Sequence, residues 1–242
     1  RDRYVPTVLF LTPDDTYSAC RFAALGVEVL FLPPRRRAQS PVASRHKHQR
    51  DIAGWLERKA GNSAVQSYRS LKSFYQFARQ DVPLIIPLSK LIRDRDADLV
   101  HLNINLRHDR AGIVAARLCG VPCISHVRMF HKLSYLDRML ARYVNFFVYI
   151  SKAVADDYTA QDIPADRGTV IHNAVDLRSF SVAYDGTSTR QEFGFASDDV
   201  VVGNVGRLDW WKGHEYFLQA MAEVIRSQPN AKALIVGAPD ST

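Results

Sequence analysis

A chain of 242 residues, 47% hydrophobic and 24% charged, has the composition of a folded globular protein with room for one large domain or two modest ones. No apolar run reaches the roughly 18–20 residues of a membrane-spanning helix, so an integral helical membrane protein is excluded as a reading of these residues. The formal charge of +7 is local: residues 33–80 hold 11 Lys/Arg against 2 acids, a net +9 that leaves the remainder at −2.

Taken in order, short β-branched and aromatic runs alternate with helical patterns. Thr7–Leu11 predicts a strand, followed by a short helix that closes at Gly26, where a left-handed cap suits glycine. Val27–Leu32 predicts the next strand, and residues 33–47 a polar, proline-containing loop. Val65, Tyr68, Leu71 and Phe74/Tyr75 recur at helical spacing and predict an amphipathic helix. Leu99–Asn103 is a strand, Ala111–Cys119 a helix ended by Gly120, Pro122–Val127 a strand, and Leu136–Val144 a helix. Phe146–Ile150 is a strand whose following helix is capped by Ser151 and ends near Ala160; Thr169–His172 is one more strand. Uninterrupted apolar strands alternating with helices predict an α/β fold with a parallel sheet buried on both faces. After a Gly/Ser/Thr/Asp-rich stretch, 184–199, read as a linker, the alternation restarts with strand Val200–Val205, a helix from about His214 to Ser227, and strand Ala233–Val236.

The three cysteines, Cys20, Cys119 and Cys123, lie in apolar segments without metal-ligand spacing. They predict reduced, inert thiols and a cytoplasmic setting.

The densest chemical signal is Gly203-Asn204-Val205-Gly206-Arg207-Leu208-Asp209-Trp210-Trp211-Lys212-Gly213. A buried strand delivers Gly206-Arg207 at its carboxyl end, where open α/β sheets bind ligands. Lys212 and Gly213 follow at the start of a helix, which favours an anion. A planar guanidinium and a compact ammonium on one turn suit a diphosphate whose charge grows as it departs. Taken alone, the two cations are equally readable as a solvated loop.

Other segments stand in a telling order. Asp98-Leu99-Val100-His101-Leu102-Asn103 is followed by Gly120-Val121-Pro122-Cys123-Ile124-Ser125-His126-Val127-Arg128. Then come Val148-Tyr149-Ile150-Ser151, Val170-Ile171-His172-Asn173-Ala174-Val175-Asp176, the Gly-Arg segment and Leu234-Ile235-Val236-Gly237. Together, over about residues 97–242, they resemble the family 4 glycosyltransferases. The resemblance implies the GT-B fold, with a Rossmann-like parallel-sheet acceptor-side domain at 1–183, the linker at 184–199, and the start of a second Rossmann-like, donor-binding domain at 200–242. It implies that Arg207, Lys212, Gly206 and Gly213 bind the donor diphosphate, that His126 is catalytic, and that Asn173, Ser151 and Arg128 line the cleft. The implied reaction moves a sugar, with retention, from a nucleotide-sugar to a hydroxyl of a glycan or lipid-linked acceptor, in polysaccharide or glycolipid assembly. No metal or other cofactor is implied. The alternatives are a GT-B relative of another class, an epimerase or phosphorylase, or a catalytically silent binding module. Without the resemblance His126 reads as a core or rim histidine, and His101 and His172 read as structural.

Two parts of the family pattern find no match. Its Glu-x7-Glu element lies downstream of Gly237. Its glycine-rich first loop is not found either, because Thr12-Pro13-Asp14-Asp15 follows Thr7–Leu11, whose spacing suits the family's second strand. The expectation is a fragment that neither folds well nor catalyses by itself.

The basic segment has two readings. Arg35, Arg36, Arg37, Arg45 and Lys47, with Trp55 as an apolar anchor, suit an anionic membrane surface at the inner face or an anionic acceptor; the other reading is a solvated loop before an ordinary helix. No base-reading motif points to nucleic acid. The Asp-x-Asp patterns at Asp94, Asp96 and Asp98 precede a strand and read as a solvated turn rather than a metal site.

Overall fold

The structure, a computed structural model, describes residues 4–10, 16–32, 68, 70–180 and 186–238. Two compact units emerge, Arg1–Asn173 and Ala174–Thr242.

In the first unit, β1 (Thr7–Phe10) and β2 (Glu28–Phe31) pair in parallel, with α1 (Thr16–Ala24) as the crossover, and Gly26 closes the turn at φ 74. A helix not expected from the sequence, α2 (Val82–Asp94), precedes the main sheet. Proline at its start and Pro87 in its interior disguise the pattern, and a π-helical turn, Phe77–Asp81, leads into it. Four parallel strands follow in the order β3-β4-β5-β6: Val100–Leu102, Cys123–Val127, Phe146–Tyr149 and Gly168–Val170. Their crossovers are α3 (Leu106–Cys119), α4 (Tyr135–Ala141) and α5 (Lys152–Thr159). Among the described residues the β1–β2 pair and the four-stranded sheet are separate sheets.

Capping explains several boundaries. α3 starts five residues ahead of the predicted Ala111 because buried Asn105 caps it, accepting from the amides of Arg107 at 3.1 Å and His108 at 3.2 Å. The polar run Arg107–Arg110 concealed that turn. Ser134 and Asp137 form a reciprocal capping box at α4. α4 then ends at Ala141 rather than the predicted Val144, whose side chain is fully buried beyond the helix.

The core lies between sheet and helices. Leu106, Ile113 and Ala116 of α3 join Val127 of β4, Phe147 and Tyr149 of β5, and Val154 and Tyr158 of α5. A smaller cluster of Leu88, Ala111 and Ala115 takes in Leu9 of β1.

The amphipathic helix expected near residue 70 is present at 70–76, but its polarity is reversed. Leu71, Phe74 and Tyr75 are exposed and Tyr68 is half-buried, while Ser73 is buried. The reason is Arg110 of α3, which is 2% exposed and needs oxygen partners. Its guanidinium donates to Ser73 Oγ at 2.6 Å and from Nε to Asp137 Oδ1 at 2.8 Å. Val65 lies outside the described residues.

Asp109, next on α3, accepts from the Ser125 hydroxyl at 3.1 Å under β4. Burial pushes its carboxyl up to about 7, against the opposing pull of Ser125 and the Ile104 amide. Between its ordinary value and about 7 the folded protein therefore keeps a proton that the unfolded chain has released. Stability falls as pH rises through that window. In D109N this loss is smaller. Thermal melts of the intact protein at pH 5 and pH 8 check it, and equal pH dependence in both proteins contradicts it.

In the second unit, β7 (Val200–Val205) and β8 (Ala231–Val236) pair in parallel along six residues, from Val200↔Ala231 to Val205↔Val236. The crossover is α7 (His214–Ser227). Within the 184–199 stretch there is a short helix, α6 (Thr187–Glu192). Among the described residues of this unit, Met221 and Ala231 are the buried apolar side chains. No described helix is long and apolar enough to cross a membrane.

Candidate functional site

The second unit carries the sharper constellation. At the carboxyl end of β7 the sheet pairing runs on past the strands, with the Gly206 amide on Val236 O at 2.9 Å and the Leu208 amide on Ala238 O at 3.0 Å. This close approach requires glycine at 237, since a Cβ there would lie 1.9 Å from Gly206 O. The backbone of Gly206-Arg207 is thereby pinned against β8.

From Arg207 the chain makes a 3-10 turn, Trp210–Lys212, and enters α7 through Gly213 at φ 74, a left-handed value that a β-carbon would strain. The ring Nε2 of His214, first residue of α7, sits 2.7 Å from Arg207 O and ties the two ends of the turn together. The turn brings the two predicted cations to one side chain. The Arg207 guanidinium carbon is 5.4 Å from the Trp211 ring centroid, and the Lys212 ammonium is 4.3 Å from it. Asp209 Oδ2 lies 3.3 Å from the Arg207 guanidinium. The result is a pair of cations on one short turn, next to a helix start, with half of the Arg207 side chain exposed.

In the first unit, the carboxyl ends of β3 and β4 gather a second group. His101 and His126 project from the same face of adjacent parallel strands and stack, with centroids 5.8 Å apart and planes at 12°. Nε2 of His126 is buried and has no hydrogen-bond partner among the described residues. Burial, then the positive charges of Arg128 and His101, hold its imidazole below the ordinary histidine value, so it is neutral near pH 7. Arg128 donates to Asn103 Oδ1 at 3.4 Å and to Asn173 Oδ1 at 3.3 Å, joining the ends of β3, β4 and β6. Ser151, at the carboxyl end of β5, uses its hydroxyl to cap α5, accepting from the Val154 amide at 3.3 Å.

The structure thus brings Arg207, Lys212, Gly206 and Gly213 together in one unit, and His126, Arg128 and Asn173 in the other. His101, read as structural, joins the second group; the β3–β4 register pairs it with Ile124, two residues before His126, and so puts both rings on one face. Arg35, Arg36, Arg37, Arg45, Lys47 and Trp55 lie outside the described residues. Among the described residues no group of three or more His, Cys, Asp or Glu side chains is placed to hold a metal ion. A cavity of ≈ 280 Å³ between Tyr135, Arg142, Ile163 and Arg167 lies at the amino end of β6, away from the histidine pair of the same unit.

Known proteins align with this layout. The family described as Glycosyltransferase Family 4 matches residues 17–179, and that described as Glycosyl transferases group 1 matches residues 185–242. An Escherichia coli protein, UDP-Gal:alpha-D-GlcNAc-diphosphoundecaprenol alpha-1,3-galactosyltransferase, is 26% identical over 174 residues, covering 65% of this chain and 45% of its own length. The D-inositol 3-phosphate glycosyltransferase of Segniliparus rotundus is 40% identical over 68 residues, 28% of this chain and 15% of its own length. Among solved structures, Anabaena HepE in complex with UDP and glucose superposes with a TM-score of 0.64 at 17% identity, over 96% of this chain and 53% of that one. The UDP-GlcNAc 2-epimerase of Neisseria meningitidis, bound to UDP-GlcNAc, gives 0.53 at 13% identity, over 95% of this chain and 57% of that one. The chain spans about half the length of the first of these relatives. At these identities the structural likenesses establish the fold.

Proposed function

The chain belongs to Glycosyltransferase Family 4 and has the α/β GT-B fold, and from that premise we propose that the intact protein moves a sugar from a nucleotide-sugar to a hydroxyl of a glycan or lipid-linked acceptor, with retention of anomeric configuration. The observation that carries the reading is the pair of Arg207 and Lys212 on one turn at the carboxyl end of β7. As the glycosidic bond breaks, negative charge gathers on the leaving nucleoside diphosphate. A guanidinium fork and an ammonium already aimed at that position stabilise it without reorganising. Because these two side chains supply the positive charge, the proposal includes no obligatory metal.

The acceptor side of the proposal rests on the first unit. His126, neutral and at the carboxyl end of β4, faces the acceptor, and Arg128, held between Asn103 and Asn173, keeps the strand ends in place. The name of the Escherichia coli relative makes UDP-galactose and a diphosphoundecaprenol-linked sugar sensible first substrates to try.

The test uses the intact protein with UDP-sugars and polyprenyl-diphosphate sugars, in the presence of a chelator. The expected result is nucleoside diphosphate release that depends on the acceptor. Epimerases share the fold, so release or sugar conversion without any acceptor would favour that class and overturn the transferase reading.

A further inference from the structure

We propose that Trp211 is a positioning residue for the donor's diphosphate, one whose indole holds Arg207 and Lys212 at the spacing that two adjoining phosphates bridge. The inference rests on the reading of those two cations as the diphosphate-binding pair.

The geometry has three parts. Trp211 contacts both cations, with the Lys212 ammonium 4.3 Å and the Arg207 guanidinium carbon 5.4 Å from its ring centroid. Trp211 is nonetheless 55% exposed, so packing among the described residues does not account for an indole at this position. And the turn is fixed at both ends, by the backbone of Gly206 on Val236 and by Gly213 at the start of α7.

Two like charges on so short a turn repel each other, and a lysine stem samples many rotamers. The face of an indole carries negative potential and attracts cations. One ring in contact with both therefore offsets part of the repulsion and narrows the volume that each cation explores. Asp209 restrains Arg207 from a second side at 3.3 Å, but no ion pair does the same for Lys212 among the described residues. The ring's share of the positioning thus falls most heavily on the lysine. A ring, unlike a carboxylate, does this without neutralising either charge or competing with phosphate for it. When a diphosphate arrives it finds both cations in place, and the ring's surroundings change as they engage it.

The test is titration of the intact protein with UDP, followed by calorimetry and by tryptophan emission. In W211A the Kd for UDP rises about tenfold, and W211F, which keeps a ring in place, recovers most of the loss. Wild type and W210F change emission on binding UDP, while W211F does not. W211A binding UDP as wild type does, while R207A and K212A bind it weakly, overturns the inference and leaves the diphosphate reading standing. R207A and K212A both binding UDP as wild type does overturns the diphosphate reading itself. Should W211A fail to fold, the emission of W211F decides: an unchanged response to UDP counts against Trp211.

Discussion

Replacing Arg207 or Lys212 by alanine in the intact protein lowers kcat/KM for sugar transfer by about 10²–10³ in each case. The size follows from where the charge goes. A nucleotide-sugar at rest already carries a diphosphate, and in the proposed site both cations bind it. As the glycosidic bond lengthens, a further charge builds on the leaving oxygen, so the same contacts strengthen in the transition state. Interactions of that kind act on kcat and not only on KM. Arg207→Lys is not a neutral change, because it keeps the charge and loses the planar fork. The double variant loses less than the product of the single losses, since both side chains act on one group. Initial-rate kinetics, with circular dichroism to verify folding, measure the effect. Single variants that stay within about threefold of wild type contradict the assignment.

Arg110→Ala costs the intact protein about 3–5 kcal/mol of stability. Arg110 and Asp137 are 2% and 1% exposed, and their ion pair is 2.7 Å long. The guanidinium also reaches the Ser73 hydroxyl and lies 3.9 Å from Asp81. The carboxylate accepts in turn from the Ser134 amide at 2.8 Å and the Ser134 hydroxyl at 2.7 Å. Every member of this network has partners, which is what makes a buried ion pair tolerable. Truncating the arginine leaves a buried carboxylate without its counter-charge. R110M with D137N, which removes both charges and leaves an acceptor for Ser134, loses less than R110A alone, since most of the penalty comes from the stranded charge. Urea unfolding distinguishes the cases. A loss under about 1 kcal/mol for R110A contradicts the account.

How far the sequence could be read depends on how local each cause is. Ser151 caps α5 as its position predicts, because a cap reaches only three residues along the chain. The cation pair was legible for the same reason, since Arg207 and Lys212 are five positions apart on one turn. The helix at 70–76 was legible as a helix but not in its orientation, because Arg110, which buries Ser73, is 37 positions away. α2 escaped because prolines that normally break a helix sit inside it. The start of α3 escaped because Asn105, an ordinary cap, is followed by charged residues rather than an apolar stripe. Of the first-unit group, His126 was singled out by resemblance alone. Its pairing with His101 depends on strand register, which no single sequence displays. Trp211 was visible as a residue, but its place beside both cations is a property of the folded turn.

The most direct measurement of sugar transfer is the structure of the product. The intact protein is incubated with a UDP-sugar and a lipid-linked sugar acceptor, and the product is examined by mass spectrometry and proton NMR. The account predicts an acceptor heavier by one sugar residue, joined through a hydroxyl, with the anomeric configuration of the donor retained. A product of inverted configuration contradicts the retaining mechanism, and an acceptor unchanged while the sugar nucleotide is converted contradicts transfer altogether.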